Sequence, residues 1–290
     1  MPKVVVVTGG SGKTGRACIR DLLAHGYEVF SVDRVAPGDG SSRFVLADLT
    51  DFGQVVGALS MAGSGPGEVA GVLHLAAMLG RVHTDQVTFS NNVTSTYNVF
   101  EAASGAGIKN VVYASSDSLL GVPFDEPPVH LPLDEESPPR PWSAYSLSKL
   151  LAEEMARQFC RWDASMKMVG LRFSNIMEPK DYARFPSFQE DARRRKWNLW
   201  GYVDSRDAAQ SVRKALEAPI AGAEVFGIAA AETVMARTDA ELLAEVFPRV
   251  PVRRELGPNE TLHSIEKARR VLGYQPEHSW RNRSDHAQSA

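Results

Sequence analysis

The chain of 290 residues has only two cysteines. Cys18 and Cys160 sit in apolar stretches of helical spacing and lack metal-ligand spacing, so a disulfide framework is excluded, no metal site is expected, and a reducing cytoplasm is the expected setting. No apolar run approaches the roughly 18 residues of a membrane span, and no membrane partner is expected. A signal is missing at the start as well: Met1 runs into Val4–Val7 without a charged region or a small-residue cleavage site, and this run reads as the first strand. Neither sign of charge dominates. The net charge of −3 supplies no basic footprint for nucleic acid, and the one basic cluster, Arg193–Lys196, reads as a solvated helix face or turn. Neither an internal repeat nor a low-complexity segment is present.

What is present is an alternation. Apolar runs of strand length fall at Val4–Val7, Tyr27–Val32, Phe44–Leu46, Val69–Leu75, Val111–Ala114 and Met168–Phe173. Between them, Thr14–His25, Phe52–Ser60, Thr84–Ala103 and Ala144–Trp162 carry helical spacing. Short, continuously apolar strands have no polar side to show, so both faces of their sheet must be covered by helices. The fold class is α/β, a Rossmann-type doubly wound parallel sheet. After Phe173 the rhythm breaks at Pro179 and Pro186. An aromatic-rich segment, a helix near Asp204–Ala218 and a strand near Val225–Ile228 follow. We read residues 1–178 with about 201–230 as a dinucleotide-binding domain, about 179–200 and 231–280 as a small C-terminal substrate lobe, and 281–290 as a loose tail.

Thr8-Gly-Gly-Ser-Gly-Lys-Thr-Gly15 joins the first strand to the first helix. Gly9 permits the tight turn, Gly12 the approach of backbone to a pyrophosphate, and Gly15 close packing, while the helix opening at Lys13 and Thr14 offers N–H groups and a positive dipole end to phosphate. Asp33 ends the second strand about 20 residues on, where a carboxylate accepts hydrogen bonds from an adenosine ribose. It would repel a 2'-phosphate, so NAD is favoured over NADP. Arg34 and Lys13 could partly compensate that repulsion, or be ordinary solvent-exposed cations.

Tyr145-Ser-Leu-Ser-Lys149 places a phenol and an ammonium four residues apart on one helix face. A free phenol titrates near pH 10, but an adjacent ammonium and a cationic nicotinamide both favour phenolate. Tyr145 can then exchange a proton with a substrate hydroxyl while hydride passes to or from nicotinamide. Lys149 would also grip the nicotinamide ribose, and Ser116, closing a parallel strand, would hold the same substrate oxygen.

With these motifs the sequence resembles the extended short-chain dehydrogenase/reductases, the NAD-dependent epimerase/dehydratase group. The likeness extends to Asp48-Leu49, His74-Leu-Ala-Ala77, Asn92-Val93, Ser115-Ser116 with Gly121, and Arg172-Phe-Ser-Asn175. The resemblance implies that Asp48 and Leu49 flank the adenine, that Leu75, Ala76 and Ala77 line the ribose and pyrophosphate path, and that Phe173 meets the nicotinamide end. It gives Asn92 a catalytic role, supporting a proton-relay water near Lys149; a capping or helix-bending role is the alternative. A homodimer through the helices bearing Tyr145 and Thr84–Ala103 is implied too.

Departures from the family pattern bear on substrate. Only about two dozen residues separate Glu178 from Tyr202, leaving little chain for the uridine clamp of sugar-nucleotide enzymes. Asp117-Ser118 stands where dehydratases place Asp-Glu. The short insert resembles uronate dehydrogenase and related sugar dehydrogenases, which implies that Arg184 binds a carboxylate or phosphate, unless it is a surface arginine. Met78, Ser116, Asp117, Ser118 and Asn175 complete the expected substrate set, with a loop-turn role as the alternative for Asp117, Ser118 and Asn175. The expected activity is NAD-dependent hydride transfer from a small sugar or sugar acid. The alternative is an epimerase, less favoured a dehydratase, acting on a nucleotide sugar such as UDP-glucose with NAD retained, and a redox-inactive NAD sensor is a third reading.

Overall fold

The computed structural model describes residues 3–38, 40, 42–65, 67–80 and 83–282. Most of the expected tail, 283–290, and Arg81 in the loop after Met78 lie outside the described residues. Nine strands and seven α-helices are found among the described residues: β1 Lys3–Thr8, α1 Lys13–Ala24, β2 Glu28–Asp33, β3 Arg43–Leu46, α2 Phe52–Gly63, β4 Glu68–His74, α3 Asp85–Gly105, β5 Asn110–Ser116, α4 Ala144–Trp162, β6 Lys167–Phe173, β7 Ile176–Met177, β8 Val203–Asp204, α5 Ser205–Glu217, β9 Gly222–Ile228, α6 Asp239–Val246 and α7 Glu266–Leu272.

The main sheet has seven strands in the order β3-β2-β1-β4-β5-β6-β9, and the pairs β1–β2, β1–β4, β2–β3 and β4–β5 run parallel. The strand order reverses beside β1, and in such sheets ligands bind at the carboxyl ends next to that reversal. Helix starts follow local capping chemistry. Asp51 accepts from Gln54 N to open α2, and Thr84 from Val87 N to open α3. At α4 the Ser143 side chain accepts from Ser146 N while Ser146 Oγ accepts from Ser143 N, a reciprocal box that fixes where the Tyr145 turn begins.

The chain divides into two compact units. The first comprises Met1–Ser115, Ser143–Leu171 and Val212–Val225, and the second Ser116–Trp142, Arg172–Ser211 and Phe226–Ala290. This division departs from the boundaries read from sequence, which put 116–142, 172–178, 201–211 and 226–230 with the dinucleotide-binding part. The reason is burial: Leu119, Leu120, Phe124, Leu131 and Leu133 join Tyr182, Phe185, Trp200 and Tyr202 in one apolar cluster. The first unit has its own core, built from Val4, Val6, Phe30, Val72, Phe100, Val111, Phe159 and their neighbours.

Within the first unit, Gly71 in β4 is hemmed in by backbone. A Cβ there would lie 2.7 Å from the carbonyl oxygen of Asn110 and 2.7 Å from Leu216 Cδ1. Gly71→Ala is expected to cost about 1–3 kcal/mol of unfolding free energy, read as a lower urea midpoint with unchanged slope; a midpoint equal to wild type would contradict this packing.

Candidate active site

In the first unit the glycine loop is held against the end of β4. Gly9 has φ +73°, and a Cβ there would fall 2.6 Å from Ala76 N, so both conformation and contact require glycine. At Gly15 a Cβ would sit 2.1 Å from Gly9 O: the close packing is against the loop's own backbone. Gly12 opens α1 without any side-chain cap, and Lys13, Thr14 and Gly15 form the turn behind it.

Beside this loop lies a cavity of about 370 Å³. Gly9, Gly12, Asp33, Arg34, Asp48, Leu49, Leu75, Ala76 and Ala77 line it, together with Met78, a residue of the expected substrate set. Asp33 is fixed at its rim: Oδ2 accepts from Ser11 N at 3.0 Å, and Oδ1 from Arg34 N at 2.6 Å and Val35 N at 3.3 Å. A carboxylate offers about four acceptor positions, so a hydroxyl donor can still be received. Arg34 turns its guanidinium to 3.8 Å from Asp48 Oδ2. Hydrogen bonds from the Thr50 N–H and hydroxyl, and then the Arg34 charge, hold Asp48 below the usual carboxylate range. The glycine cradle, the open helix start and the anchored carboxylate fit a dinucleotide.

Ser11, Val35, Ala47, Asn91 and Ser95 also line the cavity and were not anticipated. Asn91 and Ser95 stand one turn apart on α3, and that i, i+4 polar pair on an otherwise packed helix was the available signal. Also unanticipated is the part played by His74, whose imidazole bridges the hydroxyls of Thr8 at 2.8 Å and Thr96 at 3.1 Å. Burial, then the Lys149 charge, push it down to about 3, so it is neutral.

Asn92 is buried and acts as a clamp. Its Oδ1 accepts from Met78 N at 2.8 Å, and its Nδ2 donates to Met78 O at 3.0 Å and Ser148 Oγ at 3.3 Å. The side chain thus ties α3, the Met78 loop and α4 together. Lys149, 4% exposed, donates from Nζ to Ala114 O at 2.7 Å and lies 5.5 Å from the centre of the half-buried Tyr145 ring. One turn later Glu153 accepts from Ser115 Oγ at 2.6 Å. Two successive residues at the end of β5 are therefore gripped by two successive turns of α4.

The second unit holds the remaining expected residues. Ser116 Oγ accepts from Ser118 N at 3.1 Å and points to Asp117 Oδ1 at 3.4 Å, capping a short 3-10 helix at Asp117–Leu120. Phe173 is buried. Asn175 Oδ1 accepts from Arg195 at 3.4 Å. Arg184 is exposed and lines neither cavity described here, whereas Arg195, read from sequence as part of a solvated cluster, is buried between the Phe188 and Trp197 rings at 4.8 and 4.9 Å. Among the described residues no group of three or more His, Cys, Asp or Glu could hold a metal, and no helix is long and apolar enough to cross a membrane.

A parallel sheet with a glycine cradle and a Tyr–Lys helix whose lysine is buried defines a dinucleotide-dependent enzyme of the short-chain dehydrogenase/reductase class. The chain belongs to the NAD dependent epimerase/dehydratase family, whose model matches residues 5–229, and NAD is its cofactor. It is similar to the UDP-glucose 4-epimerase of Corynebacterium glutamicum, with 26% identity over 95% of this chain and 91% of that protein. Plant UDP-glucose 4-epimerases match as well, and the chain spans about half of their length. A short-chain dehydrogenase/reductase superfamily protein from Agrobacterium tumefaciens, solved with bound NAD, is 27% identical with a TM-score of 0.70, covering 96% of this chain and 94% of that one. A mutated uronate dehydrogenase shares the fold, with 23% identity and a TM-score of 0.68 over 100% of this chain and 87% of that one.

Burial pushes Lys149 down from 10.5 to about 8. A lysine so depressed costs stability in full below pH 8, and the cost disappears as pH rises to its unfolded value; for this shift it is on the order of 3 kcal/mol. Lys149→Met is expected to unfold at a higher temperature than wild type at pH 7, with the gap narrowing towards pH 10. A gap that is absent, or that widens with pH, would contradict a buried ammonium.

Proposed function

We propose that the chain is an NAD-dependent oxidoreductase that moves hydride between a small sugar or sugar acid and nicotinamide, with Tyr145 as the proton donor and acceptor. When bound, NAD supplies the hydride acceptor. Tyr145 Oη takes the proton of the substrate hydroxyl. The ammonium of Lys149, anchored on Ala114 O, favours the phenolate that can do so. Asp33 receives the adenosine ribose hydroxyls, and Ser116 Oγ is assigned the substrate oxygen as its hydrogen-bond partner.

One observation carries the preference for a small substrate. The segment expected to clasp a nucleotide in sugar-nucleotide enzymes is used here as core: Tyr182, Phe185 and Phe188 bury on the 3-10 helix Pro179–Phe188, and Phe185 meets Tyr202 at 5.4 Å and Trp280 at 5.5 Å. Side chains engaged in edge-to-face packing are not available to a uracil ring. The second reading, an epimerase that retains NAD while acting on a nucleotide sugar, draws support from the full-length likeness to the Corynebacterium glutamicum enzyme. We further propose a homodimer through α3 and α4, supported by the exposed Val87 and Tyr97 on α3 and Leu147 and Trp162 on α4, and a cytoplasmic setting.

Incubation with NAD and a panel of free sugars and sugar acids is expected to build up NADH continuously, and Tyr145→Phe to bind NAD normally while losing nearly all turnover. Product formed on UDP-sugars with no net reduction would replace the proposal by the epimerase reading. For Asp33→Ala, the ratio of NAD to NADP rates is expected to fall by about tenfold or more, the loss of one charge-assisted contact; an unchanged ratio would remove Asp33 from cofactor choice.

A further inference from the structure

We propose that Asp48 is a second determinant of NAD over NADP, acting through Arg34: it holds the guanidinium on itself and so keeps from a 2'-phosphate the cation that would otherwise receive it. The inference deepens the cofactor reading of the site. It rests on the assignment of Asp33 to the adenosine ribose, and it is independent of which reaction follows.

The register of the sheet brings the three residues together. Asp33, the last residue of β2, pairs with Leu46, the last of β3, and Ala47 N donates to Asp33 O at 3.1 Å. Asp48 therefore leaves the sheet beside the turn that carries Arg34, and all three residues line the cavity of about 370 Å³. The backbone of that turn is fixed on both sides. Asp33 Oδ1 takes the N–H groups of Arg34 and Val35, and Ser11 Oγ donates to Val35 O at 2.5 Å. What freedom Arg34 has is in its side chain. Asp48 is fixed as well: its Oδ1 accepts from Thr50 N at 2.9 Å and Thr50 Oγ1 at 2.8 Å, and its own N–H goes to Gln54 Oε1 at 2.8 Å. Gln54 is held in turn by the cap of α2, with Nε2 donating to Asp51 Oδ2 at 3.0 Å. With Oδ1 occupied, Asp48 Oδ2 is left to face Arg34 Nη1 at 3.8 Å.

An arginine near the ribose-binding carboxylate is the group that accommodates a 2'-phosphate. Arg34 follows that carboxylate directly, and the planar fork of a guanidinium suits a phosphate. Two carboxylates thus act against NADP by different means. Asp33 repels the phosphate, and Asp48 engages its counter-charge; two carboxylates and one guanidinium leave this end of the cavity with one net negative charge. Asp48 is a positioning residue in this scheme. The Arg34 and Asp48 side chains are 50% and 41% exposed, so their pair is of the kind worth up to about fivefold in an equilibrium constant.

The test is calorimetric titration of the full chain with NAD and with NADP, read without turnover as the ratio of the NADP Kd to the NAD Kd. Asp48→Asn keeps an acceptor for Thr50 and removes the charge. It is expected to lower the ratio about threefold to fivefold, mainly by tightening NADP. Asp48→Ser, also uncharged, carries the same expectation if the asparagine variant fails to fold. In an Arg34→Gln background the same substitution is expected to move the ratio by less than about twofold. Equal shifts in the two backgrounds would mean that Asp48 acts as a bare charge and not through Arg34, and would overturn the inference. So would a loss of affinity shared by both cofactors with the ratio unmoved, which gives Asp48 a structural role only. Asp33→Ala separates the two readings. A ratio unchanged there but lowered by Asp48→Asn removes Asp33 from the ribose and leaves Arg34 under the control of Asp48; a ratio lowered there but unchanged by Asp48→Asn keeps the ribose assignment and overturns the inference.

Discussion

Lys149 is kept charged inside a sheet–helix interface by the carbonyl of Ala114, at 2.7 Å. Burying an ammonium is costly unless it finds a hydrogen-bond partner, and a carbonyl near the end of a parallel strand is a partner whose position is fixed by the sheet. The consequence runs both ways. The lysine depends on β5 ending where it does, and the end of β5 is held by the lysine and, one residue on, by the grip of Glu153 on Ser115. The capping box at Ser143 and Ser146 sets the phase of α4 so that Tyr145, Lys149 and Glu153 follow at successive turns. Chemistry, helix register and strand end are one arrangement.

The two units answer different demands with different means. In the first, backbone does the recognising: glycines that admit no Cβ, an uncapped helix start, and a carboxylate that is itself oriented by three backbone N–H groups. In the second, side chains build the packing. An aromatic cluster of Tyr182, Phe185, Phe188, Trp200 and Tyr202 fills the core, and Tyr182 donates to Asp204, which also takes Arg206 Nε at 2.8 Å. A site that recognises a common cofactor can be built from the backbone of a shared fold; one that selects a substrate needs side chains that vary.

The elements that were legible in the sequence are those fixed by local rules. Strand runs, helix spacings, the glycine loop and the Tyr–Lys interval each depend on residues within a few positions of one another, and strands and helices fall within a few residues of the expected bounds. What escaped depends on distant chain. No spacing tells that Arg195, and not Arg184, is buried, because that is decided by the phase of two irregular 3-10 helices against Phe188 and Trp197. Glu153 takes its partner from Ser115, far along the chain, and no local spacing announces that pair. The grouping of Ser116–Trp142 with the second unit followed from leucines whose apolar partners lie beyond residue 170.

The most direct test of the central claim follows the hydride itself. With a free sugar or sugar acid deuterated at the carbon to be oxidised, the deuterium is expected to appear in NADH released to solution, at a rate abolished by Tyr145→Phe. Deuterium retained in a rearranged sugar, with no labelled NADH released, would contradict it.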